Sequence, residues 1–159
     1  MVIADLMSRN VATCSAEDRL DTPARLMWDF DVGCVVVVDE QHHVVGILTD
    51  RDVCMATYTQ GKAPQHIAVH EAMAREVFSC LPDDNITEVE DIMRKHRVRR
   101  IPVVDLNGQL AGLISLNDLA RESARQQTRV QKDLTPIDVS ATLAAICQPR
   151  NPGVLPPTA

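Results

Sequence analysis

The chain repeats itself, and this constrains its fold more than any other feature. Sliding the 159 residues against themselves by 66 positions gives a gapless match. Met7 falls on Met73, Cys14 on Cys80 and Asp18 on Asp84. Val37-Val38-Asp39 falls on Val103-Val104-Asp105, Gly46 on Gly112 and Asp52 on Asp118. Residues 3–53 and 69–119 share 12 identities in this register. The period exceeds those of the common solenoid repeats, and two copies are too few for a solenoid. We therefore expect two similar units packed on each other about a pseudo-two-fold axis.

Each copy reads in the same order. A short extended piece, Val11 to Cys14 or Val77 to Cys80, precedes a helix. In the second copy Asn85 and Glu88 have capping-box spacing, and Ile86, Val89, Ile92 and Met93 make one apolar face. In the first copy Leu20, Ala24, Met27 and Phe30 make that face. Pro23 sits in the first turn, where a missing N–H matters least. A continuous apolar run follows, Cys34 to Val38 and Ile101 to Val104, the pattern of a strand buried on both faces. Turns at Asp39 to His42 and Asp105 to Gly108 lead into second strands, His43 to Leu48 and Gln109 to Ile114. A helix then starts at Thr49 and again at Ser115. The order β-α-β-β-α, twice, makes this an α/β chain of the α+β type. The units are expected at 1–60 and 69–127, with a linker at 61–68 that holds Gly61 and Pro64. Over 128–159 we expect a short helix, Ser140 to Cys147, and then a mobile tail with four prolines.

Composition removes several function classes. Trp 1, Tyr 1 and Phe 2 leave few rings on which a single-strand nucleic-acid binder could stack bases. The 19 valines suit a pleated sheet instead. With 16 Lys+Arg against 22 Asp+Glu, the net charge of −6 does not suit a phosphate backbone or an anionic membrane. No apolar run approaches the ~18 residues of a membrane span. The first residues carry Asp5 and no basic stretch, unlike a secretory signal. Five cysteines with no C-x-x-C pair read as reduced thiols, so the cytoplasm is the expected compartment.

Two segments repeat well at a strand-to-helix junction. Gly46-Ile47-Leu48-Thr49-Asp50-Arg51-Asp52 and Gly112-Leu113-Ile114-Ser115-Leu116-Asn117-Asp118 share the form G-h-h-[ST]-x-x-D. A hydroxyl followed three residues later by an acid is a helix capping box, which by itself accounts for the pattern. A ligand would account for it as well. A helix N-terminus offers N–H groups and a positive dipole end to a phosphate. A carboxylate can accept both hydroxyls of a ribose. The glycine lets something bulky approach the backbone.

The repeat length, the β-α-β-β-α order, the run His96 to Asp105 (His-Arg-Val-Arg-Arg-Ile-Pro-Val-Val-Asp) and the run Gly46 to Asp52 resemble cystathionine β-synthase (CBS) domains. The pair, over most of the chain, resembles a Bateman module, and is similar to small bacterial proteins that contain little else, some linked to stress or hypoxia responses. The resemblance implies an adenosine ligand in each cleft between the repeats: AMP, ATP, NAD or S-adenosylmethionine, as a regulatory ligand and not an obligatory cofactor. The family's hydroxyl and acid fall on Thr49 and Asp52, and on Ser115 and Asp118. Its base-lining strand falls on Val11, Ala12 and Thr13, and on Val77, Phe78 and Ser79. Its inner strand gives Val36, where the family often has proline, and Pro102. Asn117 replaces Arg51, so the second motif lacks a local cation and the two clefts are expected to fill unequally.

Other residues have plainer roles open to them. Arg94, Lys95, Arg97, Arg99 and Arg100 form a cation run that a solvated helix C-terminus accounts for. Alternatively, Arg99 or Arg100 reaches a ligand phosphate. His42 and His43 read as surface histidines without a third metal ligand, and Cys14 and Cys80 as small buried hydrophobes. No H-E-x-x-H, G-x-S-x-G or P-loop is present, so an enzyme ranks last. The expectation is a non-catalytic sensor of an adenine nucleotide whose output passes to another protein. The alternative is a protein-interaction or stress-response module whose clefts bind no nucleotide. CBS pairs resemble half-discs that dimerise through their helices. Trp28, one step off the core face where repeat 2 has Arg94, predicts a homodimer with Trp28 at or near the interface.

Overall fold

The computed structural model describes residues 1–126 and 134–148. Repeat 1 contributes β1 (Thr13–Cys14), α1 (Asp21–Asp29), β2 (Cys34–Val38), β3 (Val44–Thr49) and α2 (Asp50–Gln60). Repeat 2 contributes α3 (Ile86–His96), β4 (Arg100–Val104), β5 (Leu110–Ser115) and α4 (Leu116–Gln126). A further helix, α5 (Pro136–Ile146), lies across α3 and α4. β1 runs parallel to β2, and β2 antiparallel to β3. Repeat 2 keeps the antiparallel pair β4–β5, but its leading piece narrows to one parallel bridge, Cys80 to Val103. The two hairpins meet at their turns through a bridge between His43 and Gln109.

Local chemistry sets most of the boundaries. All five β2 residues are buried, as a valine run without polar alternation requires. Asn85 caps α3, with Glu88 returning the bond, and Thr49 does the same for α2 with Asp52. Helix α1 has no side-chain cap; it stops at Asp29, and Asp31 takes a left-handed turn (φ 51). That early stop corrects one expectation. Phe30 leaves the helical face and is 65% exposed, so Pro23 and Met27 carry the inward side. Helix α5 begins one turn before the expected Ser140, behind Thr135, whose hydroxyl meets Asp138 in a third box of hydroxyl and acid. The expected tail lies outside the described residues beyond Gln148.

The core divides into two clusters, but not along the chain. Ile3 and Met7 join the cluster of repeat 2, with Val89, Met93, Ile101, Ile114 and Leu119. Ile67 and Val69 join the cluster of repeat 1, with Leu20, Val35, Val37 and Leu48. Each repeat's leading segment thus crosses to the other repeat. There it adds to the sheet edge: Ser8 exchanges both backbone bonds with Leu113 (2.9 and 2.9 Å), and Ala74 with Ile47 (2.9 and 3.1 Å).

This crossing explains the two motif glycines. A Cβ on Gly46 would lie 2.6 Å from Met73 Sδ, and one on Gly112 would lie 2.7 Å from Met7 Sδ. The bulky neighbour they admit is the crossing segment, not a ligand. No helix of the described residues is long and apolar enough to cross a membrane.

Candidate functional site

Two clefts lie between the repeats at equivalent places. Cleft A has a volume of about 590 Å³. The start of α2 gives it Thr49, Arg51 and Asp52, the α3–β4 junction gives Arg97, Val98, Arg99 and Arg100, and the end of α5 gives Ile146 and Cys147. A recess of about 30 Å³ beside it holds Val77, Phe78 and Pro102 and shares Ile47, Val98 and Arg100 with it. Cleft B is smaller, about 280 Å³. The start of α4 gives it Ser115, Asn117 and Asp118, and the leading segment gives Asn10, Val11 and Ala12. The α1–β2 junction gives Asp31, Val32, Gly33 and Cys34, and Arg100 and Arg121 reach its wall.

The capping boxes are made in both clefts, and they leave unequal capacity. Asp52 Oδ2 accepts from the Thr49 backbone (2.9 Å) and hydroxyl (2.6 Å), while Oδ1 has no protein donor among the described residues. Asp118 Oδ2 accepts the same two bonds from Ser115 (2.8 and 2.6 Å), but its Oδ1 is held by Arg121. Asp118 is also buried, whereas Asp52 is half-buried. Of the two motif acids, only Asp52 therefore offers a carboxylate oxygen to a ribose hydroxyl without breaking an ion pair.

Charge separates the clefts further. Where cleft A has Arg51, Arg97, Arg99 and Arg100, the positions 66 residues away are Asn117, Asp31, Gly33 and Cys34. None of those four arginines is in an ion pair among the described residues. Arg97 closes α3 in the left-handed region (φ 53), and Asp31 closes α1 the same way (φ 51). A side chain there costs ~1–2 kcal/mol, so both clefts place a strained, charged residue at the same helix end, with opposite signs. Arg100 stands over Gly33, where a Cβ would lie 2.7 Å from its guanidinium. Burial pushes the Cys14 and Cys80 thiols up to about 12, with Asp18 and Asp84 adding to it, so both are inert thiols.

The structure sorts the residues nominated from sequence. Thr49, Arg51, Asp52, Val77, Arg99, Arg100 and Pro102 gather around cleft A, and Ser115, Asp118 and Val11 around cleft B. Thr13 and Ser79 line neither cleft: these segments line them only as far as Ala12 and Phe78. Val36 is fully buried in mid-sheet and lines neither cleft. Sequence reasoning left out Arg97, Asp31 and the end of α5. The charge reversal between Asp31 and Arg97 in the 66-residue register was the signal for the first two. Of the cation run, Arg94 turns away to Thr142, Asp91 and Glu90. Among the described residues no group of three or more His, Cys, Asp or Glu could hold a metal ion.

A family model for the CBS domain matches residues 3–58 and again 69–125. YhcV of Bacillus subtilis, a CBS domain-containing protein, is 38% identical over 118 residues, 74% of this chain and 82% of that one. A putative signal-transduction protein with CBS domains from Burkholderia ambifaria superposes with a TM-score of 0.72 at 29% identity, covering 82% of this chain and 100% of that one. The CBS pair of protein MJ0100, solved with 5′-methylthioadenosine and S-adenosyl-L-methionine, gives a TM-score of 0.73 at 23% identity over 80% of this chain and 98% of that one. The last likeness speaks for the fold alone. With two family matches in tandem on two crossed β-α-β-β-α repeats, the chain belongs to the CBS domain family as a CBS pair, a regulatory module.

Proposed function

We propose that this CBS pair is a non-catalytic cytoplasmic sensor that takes a phosphorylated adenosine ligand, such as AMP, ATP or NAD, in cleft A. The observation that carries this reading is the set of four guanidinium groups, Arg51, Arg97, Arg99 and Arg100, gathered beside the start of α2 without ion-pair partners among the described residues. Unpaired arginines around a helix N-terminus suit phosphate oxygens. The open Oδ1 of Asp52 suits a ribose hydroxyl. Cleft B, which of those four cations only Arg100 reaches, suits an adenosine ligand that carries no phosphate, such as S-adenosylmethionine.

Titration calorimetry with adenosine, AMP and ATP at low and physiological salt tests this. AMP and ATP should bind more tightly than adenosine, and the difference should shrink with salt. Asp52→Asn should weaken AMP by roughly 10–150-fold, the worth of a lost charge-assisted bond. Asp118→Asn should leave AMP unchanged. If adenosine and ATP bind alike, or none binds below millimolar, the reading fails.

A second reading, an interaction module with empty clefts, is favoured by the Thr135–Asp138 pair, which has the geometry of the Thr49–Asp52 pair but caps a helix whose start lines neither cleft. On that reading Asp52→Asn affects only stability, by about 0.5–2 kcal/mol.

A further inference from the structure

Among the described residues, Arg100 alone lines both cleft A and cleft B. It opens β4 beside cleft A, and its side chain crosses to the α1–β2 junction, where the guanidinium lies over Gly33. There it shares the wall of cleft B with Cys34, its own counterpart in the 66-residue register. Burial holds the Cys34 thiol above its ordinary value, and the positive charge of Arg100 pulls it back. A residue beside its own counterpart lies near the pseudo-two-fold axis, where space taken by one copy is denied to the other. The sequence accordingly sets one guanidinium there, at 100, and a small thiol at 34.

Gly33 has no backbone reason to be glycine. The left-handed glycines of the described residues are Gly61 and Gly108. Position 99, the counterpart of 33, carries arginine, so the repeat tolerates a full side chain at this point. What the missing side chain leaves is space. A Cβ at 33 would lie 2.7 Å from Arg100 Nη2 and 3.5 Å from its Cζ. Asp50 Oδ2 stands 3.7 Å from the same point, and Asp31 lines the same wall of cleft B. Two carboxylates thus attract the guanidinium toward residue 33, yet it has no ion-pair partner among the described residues. It rests in a seat without being bonded into it.

We propose that Gly33 withholds Arg100 from cleft A and that a phosphate in cleft A draws the guanidinium across, so that a residue of the first repeat sets the phosphate selectivity of a cleft it does not line. Arg100 is the specificity-determining group, and Gly33 positions it. This rests on the reading of cleft A as a phosphate site and adds where its selectivity is set. The seat offers only the attraction of Asp31 and Asp50, whereas a phosphate offers charge-assisted hydrogen bonds to the planar guanidinium. The time spent in the seat weakens the apparent affinity for phosphate in proportion. One guanidinium also cannot serve both clefts at once. When it moves to cleft A, the wall of cleft B loses that cation, and a phosphate there becomes a poorer fit still.

Titration calorimetry with AMP and with adenosine tests it on the full chain, as wild type, Gly33→Ala, Arg100→Gln and the double variant. The readout is the ratio of AMP to adenosine affinity, which a purely structural role of Gly33 would leave unchanged. The atoms that must yield to a Cβ at 33 are the end of a flexible side chain, so Gly33→Ala should melt like wild type. It should raise the ratio roughly two- to fivefold by emptying the seat. Arg100→Gln should lower the ratio about tenfold, and in that background Gly33→Ala should change nothing. A crystal structure of wild type with AMP should show the guanidinium on the phosphate and away from Gly33. The proposal is overturned by a ratio that Gly33→Ala leaves alone or lowers, by a gain that survives Arg100→Gln, or by a guanidinium still over Gly33 with AMP bound. Each of these leaves cleft A as a phosphate site. A wild type that does not prefer AMP to adenosine overturns that reading and this proposal with it.

Discussion

Replacing Arg97 by glycine separates what the fold favours from what the cleft uses. Arg97 closes α3 at φ 53, where a side chain costs ~1–2 kcal/mol and glycine costs nothing. Part of that relief, about 0.4–1 kcal/mol, is offset by the greater freedom of glycine in the unfolded chain. The net expectation is a gain of between zero and about 1.5 kcal/mol in unfolding free energy. The effect on ligand has the opposite sign. A guanidinium ~6 Å from a phosphate contributes ~0.7–3 kcal/mol for effective dielectrics of 80 to 20. An open cleft with mobile salt sits toward the lower end, so AMP should bind about fivefold more weakly. Asp31 is the built-in control, since it closes α1 at φ 51 in cleft B. Asp31→Gly should give a smaller gain in stability, because aspartate tolerates this region better, and should leave AMP binding intact. Urea denaturation reads the first quantity and calorimetry at two salt concentrations the second. If Arg97→Gly binds AMP like wild type at low salt, or if Asp31→Gly loses as much affinity, the assignment of charge to cleft A is wrong.

Two further outcomes follow from packing and burial. Gly46→Ala would set a Cβ 2.6 Å from Met73 Sδ and 3.2 Å from the Ala74 carbonyl. The methionine can swing away but the bridged carbonyl cannot, so denaturant melts should show a loss of about 1–3 kcal/mol. Restoration by a second change, Met73→Ala, to more than half of that loss would show the carbonyl to be irrelevant and refute the account. Burial holds the Glu90 carboxyl above its ordinary value of 4.5, against the Thr142 hydroxyl and Arg94, which pull it down. The folded state therefore binds this proton more tightly than the unfolded state. The stability from Glu90 is full below the ordinary value and falls as pH rises through the raised one. Glu90→Gln should thus gain in melting temperature relative to wild type between pH 4 and pH 7. A relative loss over that range would mean that the ion pair with Arg94 outweighs the cost of burial.

The sequence carried the fold wherever local chemistry is self-sufficient. Valine runs placed β2 and β4, and the Asn85–Glu88 and Thr49–Asp52 pairs placed the starts of α3 and α2. Helix α1 was read less well because Leu20 offers no side-chain cap, and Phe30 looked periodic although the helix had already ended. The start of α5 is marked by the Thr135–Asp138 spacing, the same hydroxyl–acid pattern, one turn before Ser140. The crossing of the leading segments could not be read: Ile3, Met7, Ile67 and Val69 announce burial, but hydrophobicity does not say in which cluster. Val36 was misplaced for a related reason, since a strand buried throughout has no polar side to mark where a cleft opens. Half of the cleft chemistry was visible in the hydroxyl–acid pairs. The other half, the left-handed backbone at Arg97, has no sequence signature beyond the reversed charge at Asp31.

The crossed leading segments have a consequence for how such a molecule can diversify. Because Ile3 and Met7 complete the cluster of the second repeat, and Ile67 and Val69 that of the first, no half of the chain owns a whole interior. A solitary repeat could find its missing piece only on a twin, and a pair of twins is bound by its symmetry: any arginine in one cleft must reappear in the other. Joining the twins in one chain removes that obligation while leaving the shared interiors in place. The two recesses can then be rewritten one residue at a time, guanidinium at 97 and carboxylate at 31, without changing the other.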